Sequence, residues 1–323
     1  MAGSQTDAVV ELDQLTTKAA EVTVVLLQNK NLLVTDLPSQ LWSFTSLTIL
    51  NLAKNKLSSI PAEIGELNSL ITLNLSGNEI TVVSAGIGKL GKLSDLDLGR
   101  NKLQAVPTAL GSLLSLKYLN LMNNSLSDVP SELGNLTALY RLGLKGNQLT
   151  NLPESFAGLK GLVELFITDN CLVGLPDGMS GLTSLVKLQA SFNQLKTLPA
   201  AMGHLPKLEL MRVAVNNIEQ VPAEFGGLNA LAWFSLADEE GNSVLCDYGA
   251  SFFYQEGNVP YEAQEVRAYG LLLHDLVSRL KQADEQSDKD TARILKEIVQ
   301  QCIGNKAVTI QRPTFSMLHE RLT

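Results

Sequence analysis

The sequence predicts an α/β solenoid: a curved stack of short parallel strands wound from 23-residue turns and followed by a small helical segment. Three recurrences predict it. Asparagine returns at Asn55, Asn78, Asn101, Asn124, Asn147, Asn170, Asn193 and Asn216, each 23 residues after the last. Proline keeps the same step at Pro61, Pro107, Pro130, Pro153, Pro176, Pro199 and Pro222, with Ser84 as the exception. Leucine keeps it from Leu67 and Leu90 through to Leu228, and nearly a fifth of the 323 residues are Leu. Eight turns without one insertion or deletion mark an internal repeat, and a single turn of this length cannot bury its own apolar set.

Residues 1–45 do not keep the step and are expected to form an N-terminal cap and a degenerate first repeat. Ala8 to Leu15 reads as a short amphipathic helix, and Val22 to Asn31 with Leu37-Pro38 as a worn turn holding at least one extra residue. Residues 46–238 form the regular array. The first full turn runs Leu47-x-x-Leu50-x-Leu52-x-x-Asn55-x-Leu57-x-x-Ile60-Pro61-x-x-Ile64-Gly65-x-Leu67. Leu50 and Leu52 alternate with Ile49 and Asn51, the period of a strand with one buried face. The Asn side chain suits the sharp turn after that strand, where it can bond backbone groups left unpaired. Pro-x-x-Ile-Gly then suits a short helical or 3₁₀ segment returning along the outer side. Such segments are wider than the strand spacing of about 4.8 Å, so the stack bends with its strands inside. Glu239 and Leu245 stand where Asn and Pro would come next, so the array is expected to end near Asp238. In the tail, residues 239–323, helices are expected from Val266 to Leu280, from Thr291 to Cys302 and from Thr314 to Leu322.

These turns resemble the leucine-rich repeat, and their Leu-Pro-x-x-Ile-Gly-x-Leu ending resembles its intracellular 23-residue class. The resemblance implies a right-handed horseshoe with its parallel strands on the concave face. Three strings in the tail resemble, in order, the second half of a protein kinase. Ser243 to Ser251 carries Asp247-Tyr248-Gly249 where the family has its DFG motif; Glu265 to Leu276 resembles a buried kinase helix; Cys302 and Arg312-Pro313-Thr314-Phe315 with Leu318 and Leu322 resemble the closing segment. A kinase also needs a Gly-rich loop, a strand Lys, its helix Glu and a catalytic loop, and the sequence shows none of these. The expectation is a kinase-like remnant without catalysis and without cofactor. By that resemblance Asp247 would be the family's Mg²⁺ ligand, a vestigial candidate here, since one carboxylate alone binds Mg²⁺ weakly.

The remaining chemistry is sparse. A net charge of −8 argues against nucleic acid and anionic membrane as partners. Three Cys without a framework, and ends without the paired Cys of extracellular repeat caps, lead to an expectation of the cytoplasm. His204, His274 and His319 show no metal-ligand spacing, and no nucleophile has a base beside it, so no catalytic or metal residue is expected. Asp95 and Asp97 share a strand face and read as solvated charges. The informative positions are the variable ones on the inner strands. Tyr118, Asn120, Arg141, Glu164, Phe166, Lys187, Gln189, Phe192 and Arg212 place aromatics beside cations, the composition of protein interfaces. The reading is a non-catalytic interaction or scaffold module for a protein or peptide partner on the concave face. The alternative is a pseudokinase-type regulator.

Overall fold

The computed structural model describes residues 21–236. They form a stack of turns in which ten of the twelve strands make one parallel sheet in chain order, from Val24–Leu26 to Trp233–Ser235, while Ser59–Ile60 and Val82–Val83 pair separately. Each strand of the large sheet has three residues, and from Ile49 onward equivalent residues face each other one turn apart: Tyr118 pairs with Arg141, Arg141 with Glu164, and Glu164 with Lys187. The middle residue of each strand points inward, as Leu119, Leu142 and Leu165 do at 0–1% exposure. The residues before and after it point outward onto the concave face. A core of stacked Leu rows therefore runs the length of the array beneath that face.

The turn after each strand has a fixed construction. The residue just before each ladder Asn is left-handed: Lys54, Gly77, Arg100, Asn123, Gly146, Asp169, Phe192 and Val215, with φ between 53° and 69°. That bend aims the next Asn side chain back under the strands. Asn124 shows the pattern. Its Nδ2 donates to the carbonyls of Leu121 in its own turn and Leu98 in the turn before, both at 3.0 Å, while its Oδ1 accepts from the Leu103 amide at 3.0 Å. Asn147, Asn170, Asn193 and Asn216 repeat these bonds, so each Asn ties its turn to its predecessor. The ladder expected from the sequence is present.

Proline sits in extended backbone immediately ahead of a five-residue 3₁₀ helix, as Pro130 does before Ser131–Asn135. Its missing amide costs nothing there, and its fixed φ sets the helix entry. Ser84 keeps the geometry and adds a cap, its Oγ accepting from the Gly86 amide at 3.2 Å. The helices stack closely enough that a side chain at Gly134 would run into the Ser155 carbonyl of the next turn, which explains the glycine in Ile-Gly-x-Leu. The outer side is thus 3₁₀ rather than α-helical throughout the described residues.

The first turn differs from the rest. Its strand pairs Val24 with Ile49, a step of 25, while its helix Ser39–Ser43 precedes Ala62–Glu66 by 23. Two extra residues are taken up by the 3₁₀ turn Val34–Asp36, where the Asp36 side chain accepts from the Leu33 amide. At the step of 25, Lys30 stands where later turns have their ladder Asn, and Asn55 Oδ1 accepts from the amides of both Lys30 and Leu32. The helix expected at Ala8 to Leu15, the array end at Asp238, the tail helices and the kinase-like strings with Asp247, Cys246, Cys302, His274 and His319 lie outside the described residues.

Candidate protein-binding face

The strand register sorts the concave side chains into two rows. The first reads Val24, Ile49, Thr72, Asp95, Tyr118, Arg141, Glu164, Lys187, Leu210; the second reads Leu26, Asn51, Asn74, Asp97, Asn120, Gly143, Phe166, Gln189, Arg212. Neighbours in a row lie one strand apart, within reach of each other. Tyr118, Arg141, Glu164 and Lys187 are therefore consecutive in one row, and Asn120, Phe166, Gln189 and Arg212 sit in the other.

Arg141 is the centre of this arrangement. Its guanidinium carbon lies 5.9 Å from the ring centroids of both Tyr118 and Phe166, one in each row. Its Nε donates to Glu164, and Lys187 reaches the other oxygen of the same carboxylate at 3.3 Å. Burial opposes charge on Glu164, but the hydrogen bonds from Arg141 and Lys187 outweigh it and hold the carboxyl below the usual carboxylate range. The Tyr118 ring is further packed against Tyr140, with centroids 5.8 Å apart. An arginine held by two rings and a buried acid has little freedom left to lose on binding, which favours a contact residue.

The second row carries a shorter polar ladder. Asn51, Asn74, Asp97 and Asn120 each accept, through Oδ1, the amide two residues on, at 2.9–3.0 Å. Asn120 also donates to Asp97 at 2.9 Å. At Gly143 the row loses its side chain, and Met122 folds into the room: a Cβ on Gly143 would meet the Met122 methyl at 2.7 Å. Alongside lies an open hollow of about 550 Å³ bordered by Asp95, Asp97, Tyr118, Met122, Arg141 and Phe166, with Gly143 at its edge.

Two sequence expectations change on inspection of these positions. Glu164 is 7% exposed, so it works from beneath by fixing two cations rather than by presenting a carboxylate. Phe192 is not on an inner strand. It occupies the left-handed position of the turn before Asn193, three residues past the strand Lys187–Gln189, and is 54% exposed. Val215 sits at the same position one turn on. Tyr140 and Gly143 were passed over by the alternation rule. Tyr140 precedes its strand, where alternation has not begun, whereas Gly143 could have been found as the gap in a row of Asn and Asp.

The sequence of residues 100–197 matches a family model described as a leucine-rich repeat region, and residues 45–103 match one described as leucine rich repeat. The fold is that of a leucine-rich-repeat solenoid. No curated protein matches the chain. Among solved structures, the leucine-rich-repeat ectodomain of the membrane receptor kinase GASSHO1/SCHENGEN3 from Arabidopsis thaliana, in complex with CASPARIAN STRIP INTEGRITY FACTOR 2, is 28% identical with a TM-score of 0.58. That likeness covers 68% of this chain and 27% of the ectodomain. A leucine-rich-repeat protein of Leptospira interrogans is 26% identical over 70% of this chain and 81% of its own, with a TM-score of 0.45. A TDR receptor is 26% identical over 69% of this chain and 48% of its own, with a TM-score of 0.47. With 428 matching solved chains, likeness of this kind speaks for architecture and not for one partner. Leucine-rich-repeat domains generally mediate protein–protein interaction, and they are typically non-catalytic.

Proposed function

We propose that the chain is a non-catalytic interaction or scaffold module that takes a protein or peptide partner on its concave face. Arg141 is the central contact, with Tyr118, Asn120, Phe166, Lys187 and Gln189 around it and Phe192 and Arg212 toward the margin. Glu164 sets the positions of Arg141 and Lys187. The observation that carries the reading is Arg141 itself, half-exposed between two aromatic rings and braced by a buried acid on a sheet face whose residues vary from turn to turn. Such aromatic–arginine clusters are where binding energy concentrates in interfaces. The plant ectodomain, similar in fold, is in complex with CASPARIAN STRIP INTEGRITY FACTOR 2, which supports the reading by analogy of architecture alone.

The test is affinity capture with the full chain, compared with two variants. Tyr118→Ala with Arg141→Ala alters the concave face; Val82→Ser with Leu114→Ser alters apolar residues that are each 60% exposed and outside the two rows. The reading expects a partner that is lost with the first variant and kept with the second. The opposite pattern would overturn it.

The pseudokinase-type regulator remains as a second reading because the three kinase-like strings fall in kinase order. It expects a rise in melting temperature with Mg·ATP that disappears in Asp247→Asn, equivalent to about 2.7 kcal/mol at roughly 100 times the dissociation constant. The interaction-module reading expects no rise.

A further inference from the structure

We propose that the hollow beside Tyr118 receives a cationic side chain, Lys or Arg, from an extended partner segment, with an apolar neighbour of that residue packed on Tyr118 and Phe166. This rests on the reading of the concave face as a protein-binding surface and names the chemistry it selects.

Charge points there first. Arg141 and Lys187, the cations nearest the centre of the face, are already matched by Glu164. Asp95 and Asp97 are not matched. Neither makes an ion pair among the described residues, and Asp97 accepts only from neutral donors, the Gly99 amide and the Asn120 side chain. Both border the hollow from alternate positions of one strand, so their carboxylates lie on the same side of the sheet.

The fold, moreover, does not need the charge. Asn51, Asn74 and Asn120 hold the same row position in neighbouring turns and make the same bond to the amide two residues on. Asparagine suffices for that bond three times; at Asp97 the negative charge is additional to it. Asp95 takes no part in side-chain bonding at all among the described residues, and its row neighbours are Thr72 and Tyr118. Two half-buried carboxylates whose negative charge no ion pair among the described residues uses are therefore available to a cation.

The shape of the hollow fits as well. Gly143 puts no side chain of its own between Asn120 and Phe166, so the open hollow above the sheet can take a long side chain lying along the row. Tyr118, 40% exposed, and Phe166 form the apolar rim, and the Tyr118 face adds attraction for a cation. The net charge of −8 adds a long-range pull on a basic segment.

The experiment uses the full chain and two blocked peptides, acetyl-Gly-Leu-Arg-Phe-Gly-amide and the same peptide with Glu in place of Arg, titrated by calorimetry. The arginine peptide should bind roughly tenfold more tightly or better, and its affinity should weaken several-fold as salt rises from about 50 to about 300 mM. Asp97→Asn, which preserves the ladder bond, should weaken it with an unchanged melting temperature, and Asp95→Asn with Asp97→Asn should bring it to the level of the glutamate peptide. Equal binding of the two peptides, binding of neither, or full affinity in the double variant would overturn the proposal. If the arginine peptide binds the double variant normally but is lost in Phe166→Ala, the cation pocket fails while the interaction face stands. If it binds both variants normally, the peptide lies elsewhere and neither the pocket nor the face is supported.

Discussion

Tyr118 and Asn124 lie six residues apart in one turn of the array and obey different rules. Asn124 belongs to a column in which the same residue stands eight times and makes the same bonds to its own turn and the one before. Tyr118 belongs to a row in which Thr, Asp, Tyr, Arg, Glu and Lys follow one another, each on the same backbone. The difference teaches where this molecule keeps its stability. Positions that repeat are held by buried backbone groups with one acceptable partner; positions that vary are held by nothing the fold requires, and so are open to selection by a ligand. Glu164 stands between the two classes. It is buried like the ladder residues, yet it sits in a variable row and its neighbours across the strands are the two cations it binds.

The comparison breaks most visibly at the ladder. Asn124→Ala leaves the Leu103 amide and the Leu98 and Leu121 carbonyls without their partner, and should cost about 1–3 kcal/mol in denaturant unfolding. A loss near zero would mean that water replaces the side chain and that the column is not structural. Glu164 should give the next largest effect, and one that depends on pH. Because its carboxyl is held below the ordinary value near 4.3, the stabilisation is present above that value and is lost as pH falls through the lower, folded-state value. Glu164→Gln should therefore cost about 1 kcal/mol near neutral pH and converge with the parent in acid; a cost that persists unchanged in acid would mean that packing, not charge, is at stake. The smallest effect belongs to Phe192. Its left-handed backbone suits Asn, Asp or Gly better, and Lys54, Asn123 and Asp169 hold the same conformation in other turns. Phe192→Asn should leave stability unchanged or raise it by up to about 1 kcal/mol. A loss larger than that would place Phe192 among the packing residues.

The repeated class was legible in the sequence because its cause is local and periodic. A fixed step of 23 announces the turn, and Leu50, Asn55 and Pro61 each name their own role through alternation, side-chain bonding and fixed φ. The 3₁₀ character of the outer segments was left open between two helix types, since five residues between Pro130 and Leu136 satisfy both periods; close stacking at Gly134 favours the narrower one. The variable class was only half legible. Alternation found Tyr118, Arg141, Phe166 and Lys187, but it could not tell that Glu164 is buried, because that depends on two side chains from adjacent strands closing over it. It misplaced Phe192, since the left-handed turn interrupts alternation three residues beyond the strand. It missed the hollow as well, whose border includes a residue that contributes no side chain, Gly143.

The central claim is that stability resides in the repeating columns and not in the concave rows. The most direct test is the urea unfolding free energy of the variant carrying Tyr118→Thr with Lys187→Thr, measured beside the parent and Asn124→Ala. Threonine already stands in that row at Thr72, and Arg141 keeps its bond to Glu164 in this variant. The account expects the face variant to unfold within about 0.5–1 kcal/mol of the parent, while Asn124→Ala falls by more. A face variant that loses as much as the ladder variant would contradict it.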